Sequence, residues 1–360
     1  MLNLESLLLK LSNARGPSGF ESEVRQIVRK ELDPYVNSLE TDGVGSLIGL
    51  KNGPPNSPKV MLSAHMDEVG LLVRYVTSDG FIKFQNLGGW LDQALIGQRW
   101  QIITSTGIVL GVTGIKTPHV MSTDERSKIF KGESLFIDVG AKDKLDAEDR
   151  LGIKPGDPIS PYSQAEKLND SDFILGKAWD DRAGLAVMIG VMDSIKNQDL
   201  PFSLYAVATV QEEVGLRGAH TSSYAVNPDI GLNLESGVAG DYPGISQYEA
   251  QEKLGAGPAI FLHDSSMLPN LNLRDFVIET AKEIDIPLQF NVLSGYGQDG
   301  AEMQKSFEGV PVINITVPTR YLHSHNSLIN LKDVEAAIKL VEACILKLHP
   351  TVVEDLKSFD

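Results

Sequence analysis

The chain alternates two textures, and that alternation constrains its fold more than any single motif. Residues 1–73 and 166–360 interleave apolar strand patterns with helical spacing, whereas 74–165 is a run of short β-rich pieces broken by turns. In the outer parts, strand patterns read SLIGLK at 46–51, KVMLSAHMD at 59–67, FSLYAVATV at 202–210, DIGLNLE at 229–235, LQFNVLSG at 288–295 and VPVINITV at 310–317. Helical spacing covers 3–12, 21–32, about 181–197 and 331–348. In the third of these, Leu185, Met188, Ile189, Met192 and Ile195 share one face. Strands alternating with helices predict an α/β fold: a mixed, largely parallel sheet covered by helices on both faces. Pieces such as LLVRYVT, FIKFQNLGG and WQIITSTGIVLGVTGI predict a small β-barrel or sandwich inserted into it. Ser18 and Glu21 are placed to form a capping box for the second helix.

Composition narrows the function classes. The formal net charge is -16 and Lys and Arg nowhere cluster, which argues against nucleic-acid partners, since phosphate backbones demand concentrated positive charge. No apolar run approaches the ~20 residues needed to cross a bilayer, so no membrane role is expected. MLNLESLLLKLSNARG at the N-terminus reads as an amphipathic helix rather than a leader. One cysteine, Cys344, leaves no internal disulfide and fits a reducing, cytoplasmic setting.

The chemistry gathers where apolar runs end. His65 and Asp67 close one run, Asp180 and Asp181 another, and Glu212 and Glu213 a third. Glu235 closes GLNLE and His323 follows INITVPTRYL. The C-terminal ends of strands are where open α/β sheets place ligands. Adjacent strand residues face opposite ways, so Glu212 and Glu213 either divide two jobs or are surface charge. Imidazole nitrogen with carboxylate oxygen suits Zn²⁺, Co²⁺ or Mn²⁺. Two such ions bridged by one carboxylate need a further carboxylate, off the metals, as general base. A divided glutamate pair would supply one of each kind. His119, His220, His263 and His349 lack a matching acid and read as structural. His325 either supports the site or is exposed.

SAHMDEVG at 63–70, GKAWDDRAG at 176–184, VQEEVGLRGA at 210–219, RYLHSH at 320–325 and PSGFE at 17–21 together resemble the co-catalytic metallo-aminopeptidase family of glutamyl, deblocking and tetrahedral TET peptidases, over essentially the whole chain. The resemblance implies two divalent ions per subunit, Zn²⁺ or Co²⁺ ahead of Mn²⁺. His65 and Glu235 would hold the first, Glu213 and His323 the second, and Asp180 would bridge them. Glu212 would be the general base, with Asp67 holding the His65 imidazole. It further implies a PDZ-like insertion that mediates dimers, which assemble into dodecamers, and peptide substrates trimmed from the N-terminus. Glu235 departs from the family's usual Asp, and GQDG at 297–300 from its GTD-A pattern. Other readings are a hydrolase of different amides, a glycosidase and a non-catalytic assembly protein. Adjacent glutamates suit a glycosidase poorly, because its two carboxylates must face each other across ~5–9.5 Å. Lys177, Arg217 and Arg320 are the cations that could meet an acidic substrate side chain.

Overall fold

The computed structural model describes residues 2–169 and 171–358; positions 1 and 360, the outer limits of the predicted α/β domain, lie outside them. The apolar strand patterns assemble into one eight-stranded sheet. Its order is Ser38–Thr41, Leu47–Lys51, Ser203–Thr209, Lys59–His65, Ile230–Val238, Val312–Thr319, Ala259–His263 and Gln289–Val292. The four middle strands, from Ser203–Thr209 to Val312–Thr319, are mutually parallel, while Leu47–Lys51 and Ala259–His263 join them antiparallel. The predicted mixed, largely parallel sheet is therefore present. Residue alternation explains why both faces are covered. Along Lys59–His65, Val60, Leu62 and Ala64 join the large core with the helices Leu4–Asn13, Ser22–Leu32, Trp179–Ser194 and Leu331–Lys347. Met61 points the other way, into a second cluster with Val226, Ala301 and Met303 of the opposite helices.

The helix Trp179–Ser194 differs from its expected single apolar face. It is buried on every side from Trp179 to Met192. From Ala183 onward the residues off the apolar stripe are small or apolar, including Ala183, Gly184, Ala186, Val187, Gly190 and Val191, so the helix can sit between the sheet and its neighbours. At Gly190 an added Cβ would lie 2.5 Å from Ile338, so the crossing with Leu331–Lys347 depends on the missing side chain.

The β-rich stretch closes into a six-stranded barrel of Gly70–Val76, Ile82–Leu87, Phe136–Asp138, Gly107–Gly114, Arg99–Thr104 and Pro158–Pro161. Leu71, Trp100, Ile102, Ile137 and Ile159 fill a core of its own. Glu166–Lys167, Phe173–Gly176 and Ser327–Asn330 form a small antiparallel sheet. Among the described residues no helix is long and apolar enough to cross a membrane.

Candidate metal centre

Parallel register delivers the acids and imidazoles to one edge. Ser63 pairs with Asn233, so two residues further on His65 and Glu235 reach the same level on the same face. Thr209 is opposite His65, and beyond it the chain turns through Gln211, at φ 57°, to present Glu212 and Glu213. Asp180 lies in non-helical backbone, φ −83° and ψ 101°, just ahead of the regular part of its helix. That extended start, rather than a helical one, points its carboxylate at the sheet edge. His323 follows the strand Val312–Thr319 in a left-handed conformation, φ 53°.

These side chains fall into two groups sharing Asp180. In each, His65 with Asp180 and Glu235, and Asp180 with Glu213 and His323, the ligand-capable atoms lie within 4.8 Å of one another. Asp180 Oδ1 is 3.0 Å from His65 Nε2 and its Oδ2 is 3.3 Å from His323 Nε2. Glu235 Oε1 is 3.5 Å from His65 Nε2 and Glu213 Oε2 is 3.4 Å from His323 Nε2. Glu212 belongs to neither group, with Oε2 3.9 Å from His65 Nε2. Glu213 Oε1 and Glu235 Oε2 are buried and have no hydrogen-bond partner among the described residues. Buried carboxylate oxygens without donors are costly unless a cation faces them.

The electrostatics point the same way. Burial pushes the Glu213 carboxyl up to about 8 against the opposing pull of His323, and the Glu235 carboxyl up to about 7 against that of His65. Burial also raises Glu212 well above the usual carboxylate range. Burial alone would raise Asp180 and lower His65, yet their partners win in both: His323 and then His65 hold Asp180 low, and Glu235 and then Asp180 hold His65 high. A set of this kind, two imidazoles among four carboxylates, fits two divalent cations bound through nitrogen and oxygen.

Several neighbours differ from expectation. The strand ends at His65, and His65 Nδ1 donates to the backbone carbonyl of Asp67 at 3.0 Å, while the Asp67 carboxylate stands 3.5 Å away. That carboxylate instead accepts from the amides of Glu212 (2.9 Å) and Glu213 (3.2 Å) and from Ser18 Oγ (2.6 Å). Asp67 therefore sets the glutamate turn. The predicted capping box is absent for the same reason: Ser18 is spent on Asp67, and Glu21 Oε1 accepts from the amides of Gly19 and Gln211. Asp181 Oδ2, assigned no role from sequence, accepts the His65 amide at 3.1 Å and steadies that strand end. His325 is buried, its Nε2 donating to the Arg99 carbonyl at 3.0 Å. Two of the three candidate substrate cations are committed elsewhere. Lys177 Nζ is buried on both Glu68 oxygens at 2.8 and 2.6 Å, and Arg320 makes a two-pronged pair with Asp241.

A largely parallel α/β domain with acids and imidazoles at its strand ends, carrying an inserted barrel, is the architecture of a metallopeptidase. The sequence matches the M42 glutamyl aminopeptidase family over residues 45–340, and the chain belongs to that family. It is a metal-dependent aminopeptidase, a peptide hydrolase that acts on N-terminal residues. The TET aminopeptidase of the marine sediment archaeon Thaumarchaeota archaeon SCGC AB-539-E09 superposes with a TM-score of 0.95 at 42% identity, covering 98% of this chain and 99% of that one. FrvX of Escherichia coli K12 is 36% identical over 359 residues, 99% of each chain. The TET1 peptidase of Pyrococcus horikoshii, which can assemble into a tetrahedron or a large octahedral shell, matches with a TM-score of 0.87 at 29% identity, covering 96% of this chain and 100% of that one.

Proposed function

We propose that two divalent ions work together here, the first held by His65, Asp180 and Glu235 and the second by Asp180, Glu213 and His323. The observation that carries this reading is Asp180, one oxygen near each imidazole, between two groups that each end in a partnerless buried carboxylate oxygen. The nitrogen and oxygen donors suit Zn²⁺ or Co²⁺, with Mn²⁺ next. When bound, such ions polarise a peptide carbonyl and acidify water. Glu212 sits beside both groups and in neither, so its carboxylate is free to take a proton from the attacking water and return it to the departing amine. Asp67 holds Glu212 and Glu213 apart through their amides, so that one bears on the metals while the other handles the proton.

Glu235 reaches the first group because its longer arm spans from the strand while Ser236 N–H anchors Oε1 at 2.9 Å. Shortening it, Glu235→Asp, withdraws the carboxylate by ~1.5 Å, well outside the ±0.2 Å that metal bonds tolerate. We expect weaker binding at the first site and reduced activity, although Asp is the family's usual residue. Metal titration of the variant checks this; unchanged affinity and activity would place the first ion's ligand elsewhere.

Substrate preference follows from the cavity beside Glu235. It holds about 630 Å³ and is lined by Val238, Val292, Leu293, Tyr248 and Tyr296, with Glu249 its acid and His263 its imidazole. Tyr296 Oη donates to the Ser236 carbonyl at 2.9 Å, which ties this wall to the metal centre. His263 Nδ1 donates to the Leu293 carbonyl, leaving Nε2 as an acceptor. Among the described residues lining it there is no lysine or arginine. The pocket therefore suits apolar or basic N-terminal side chains, despite the family's glutamyl description. In a panel of aminoacyl-nitroanilides we expect kcat/KM for Glu to fall about 10–100-fold below Leu or Lys, because an acidic side chain meets no lysine or arginine there and faces Glu249. Preference for Glu would overturn the pocket assignment, and activity that survives chelation would overturn the metal reading.

The proposal extends to assembly. A tetrahedron has six edges, and a dimer on each gives a dodecamer, so the Pyrococcus horikoshii assembly supports a homo-oligomer of dimers here, with the barrel carrying subunit contacts. A cytoplasmic setting accords with the single buried cysteine.

A further inference from the structure

A histidine binds metal only through a bare ring nitrogen, and which nitrogen is bare depends on what the other one donates to. Both imidazoles of the centre use the same device. His65 Nδ1 donates to the Asp67 carbonyl at 3.0 Å, and His323 Nδ1 to the Gly89 carbonyl at 2.7 Å, leaving each Nε2 facing carboxylates. The sources differ. Asp67 is two residues along the same segment, whereas Gly89 precedes His323 by 234 residues and belongs to the barrel, just after its strand Ile82–Leu87.

The barrel also holds the loop on the far side of His323. His325 Nε2 donates to the Arg99 carbonyl at 3.0 Å, and its ring stands 4.4 Å from that of Trp100, edge to face. Trp90, next to Gly89, packs 5.6 Å from Trp100 and donates its indole N–H to the Gly70 carbonyl at 3.0 Å. This support is needed because Tyr321 and His323 both hold left-handed backbone, φ 61° and 53°, which side-chain-bearing residues adopt at a cost. Gly88, at φ +80°, lies so close to the site that a Cβ there would stand 2.7 Å from Val69 Cγ1 and 3.1 Å from Glu213 Oε2.

We propose that barrel residues 88–90 are a positioning element of the second metal site. The Gly89 carbonyl holds His323 in the tautomer with Nε2 bare, so affinity for the second ion depends on how the barrel is seated. The first site draws its carbonyl from its own strand end and does not share that dependence. The barrel thus acts on chemistry as well as on assembly, and this rests on the two-ion reading above.

The test uses full-length protein stripped of metal and titrated with Zn²⁺ by calorimetry, with light scattering and circular dichroism on each variant. Trp90→Phe keeps the ring and removes the bond to Gly70; Gly88→Ala pushes the loop away from Val69 and Glu213. His323→Ala identifies which binding event belongs to the second site. That same event should weaken about tenfold in Trp90→Phe and about 10–100-fold in Gly88→Ala, with the other event, the spectrum and the assembly unchanged. Wild-type affinity at the second site in both variants would overturn the proposal, as would equal weakening of both events. A single event in the wild type would sink the two-ion reading, and the proposal with it.

Discussion

Glu212→Gln should lower kcat by about 10²–10⁴-fold while leaving both metals bound. The amide keeps the shape of the side chain and cannot accept the water's proton. Glu212 stands outside both ligand groups, so its replacement removes a proton acceptor and no ligand. Its amide still reaches Asp67, which keeps the turn and hence Glu213 in place. A drop in kcat with little change in KM is therefore expected, since substrate binding does not call on the base. Metal analysis alongside kinetics separates the alternatives. Loss of an ion from Glu212→Gln, or near-normal turnover with intact metals, would mean that the two glutamates carry each other's roles.

The second large effect distinguishes shared from unshared ligands. Asp180→Ala removes the only carboxylate among the described residues whose two oxygens face both imidazoles, so affinity should fall at both sites by more than the about 10–100-fold that follows loss of an outer partner, and activity should vanish. His323→Ala removes a ligand from one site only. The first group retains His65, Asp180 and Glu235, so that variant should bind one ion near normally and lose the other. Identical isotherms from the two variants would show that Asp180 does not bridge.

That acids and imidazoles would gather at one edge of the sheet was legible from residue type and strand ends, whereas the bridging role of Asp180 and the choice of Glu212 over Glu213 as base came from the family resemblance. An apolar run that stops at an acid or a histidine announces its own edge of the sheet, and parallel register then brings separate runs level, as Ser63 with Asn233 brings His65 and Glu235 together. What stayed hidden depended on contacts between segments far apart in the chain. The family resemblance implied that Asp67 holds the His65 imidazole, but the strand ends before it, and its carboxylate goes to the amides of Glu212 and Glu213. Lys177 and Arg320 read as open cations until Glu68 and Asp241 were seen to neutralise them. The burial of the helix from Trp179 to Met192 followed in part from small residues whose spacing carries no amphipathic signal. Gly89 offers nothing but a backbone carbonyl to His323, and a carbonyl leaves no mark on composition or periodicity.

The central claim, a two-ion centre assembled on Asp180, is tested most directly by titrating metal-free protein with Zn²⁺ while following activity on an aminoacyl-nitroanilide. Two binding events per chain are predicted, with activity returning as the centre fills and disappearing again on chelation. One ion per chain at full activity, or full activity with none, would contradict the account.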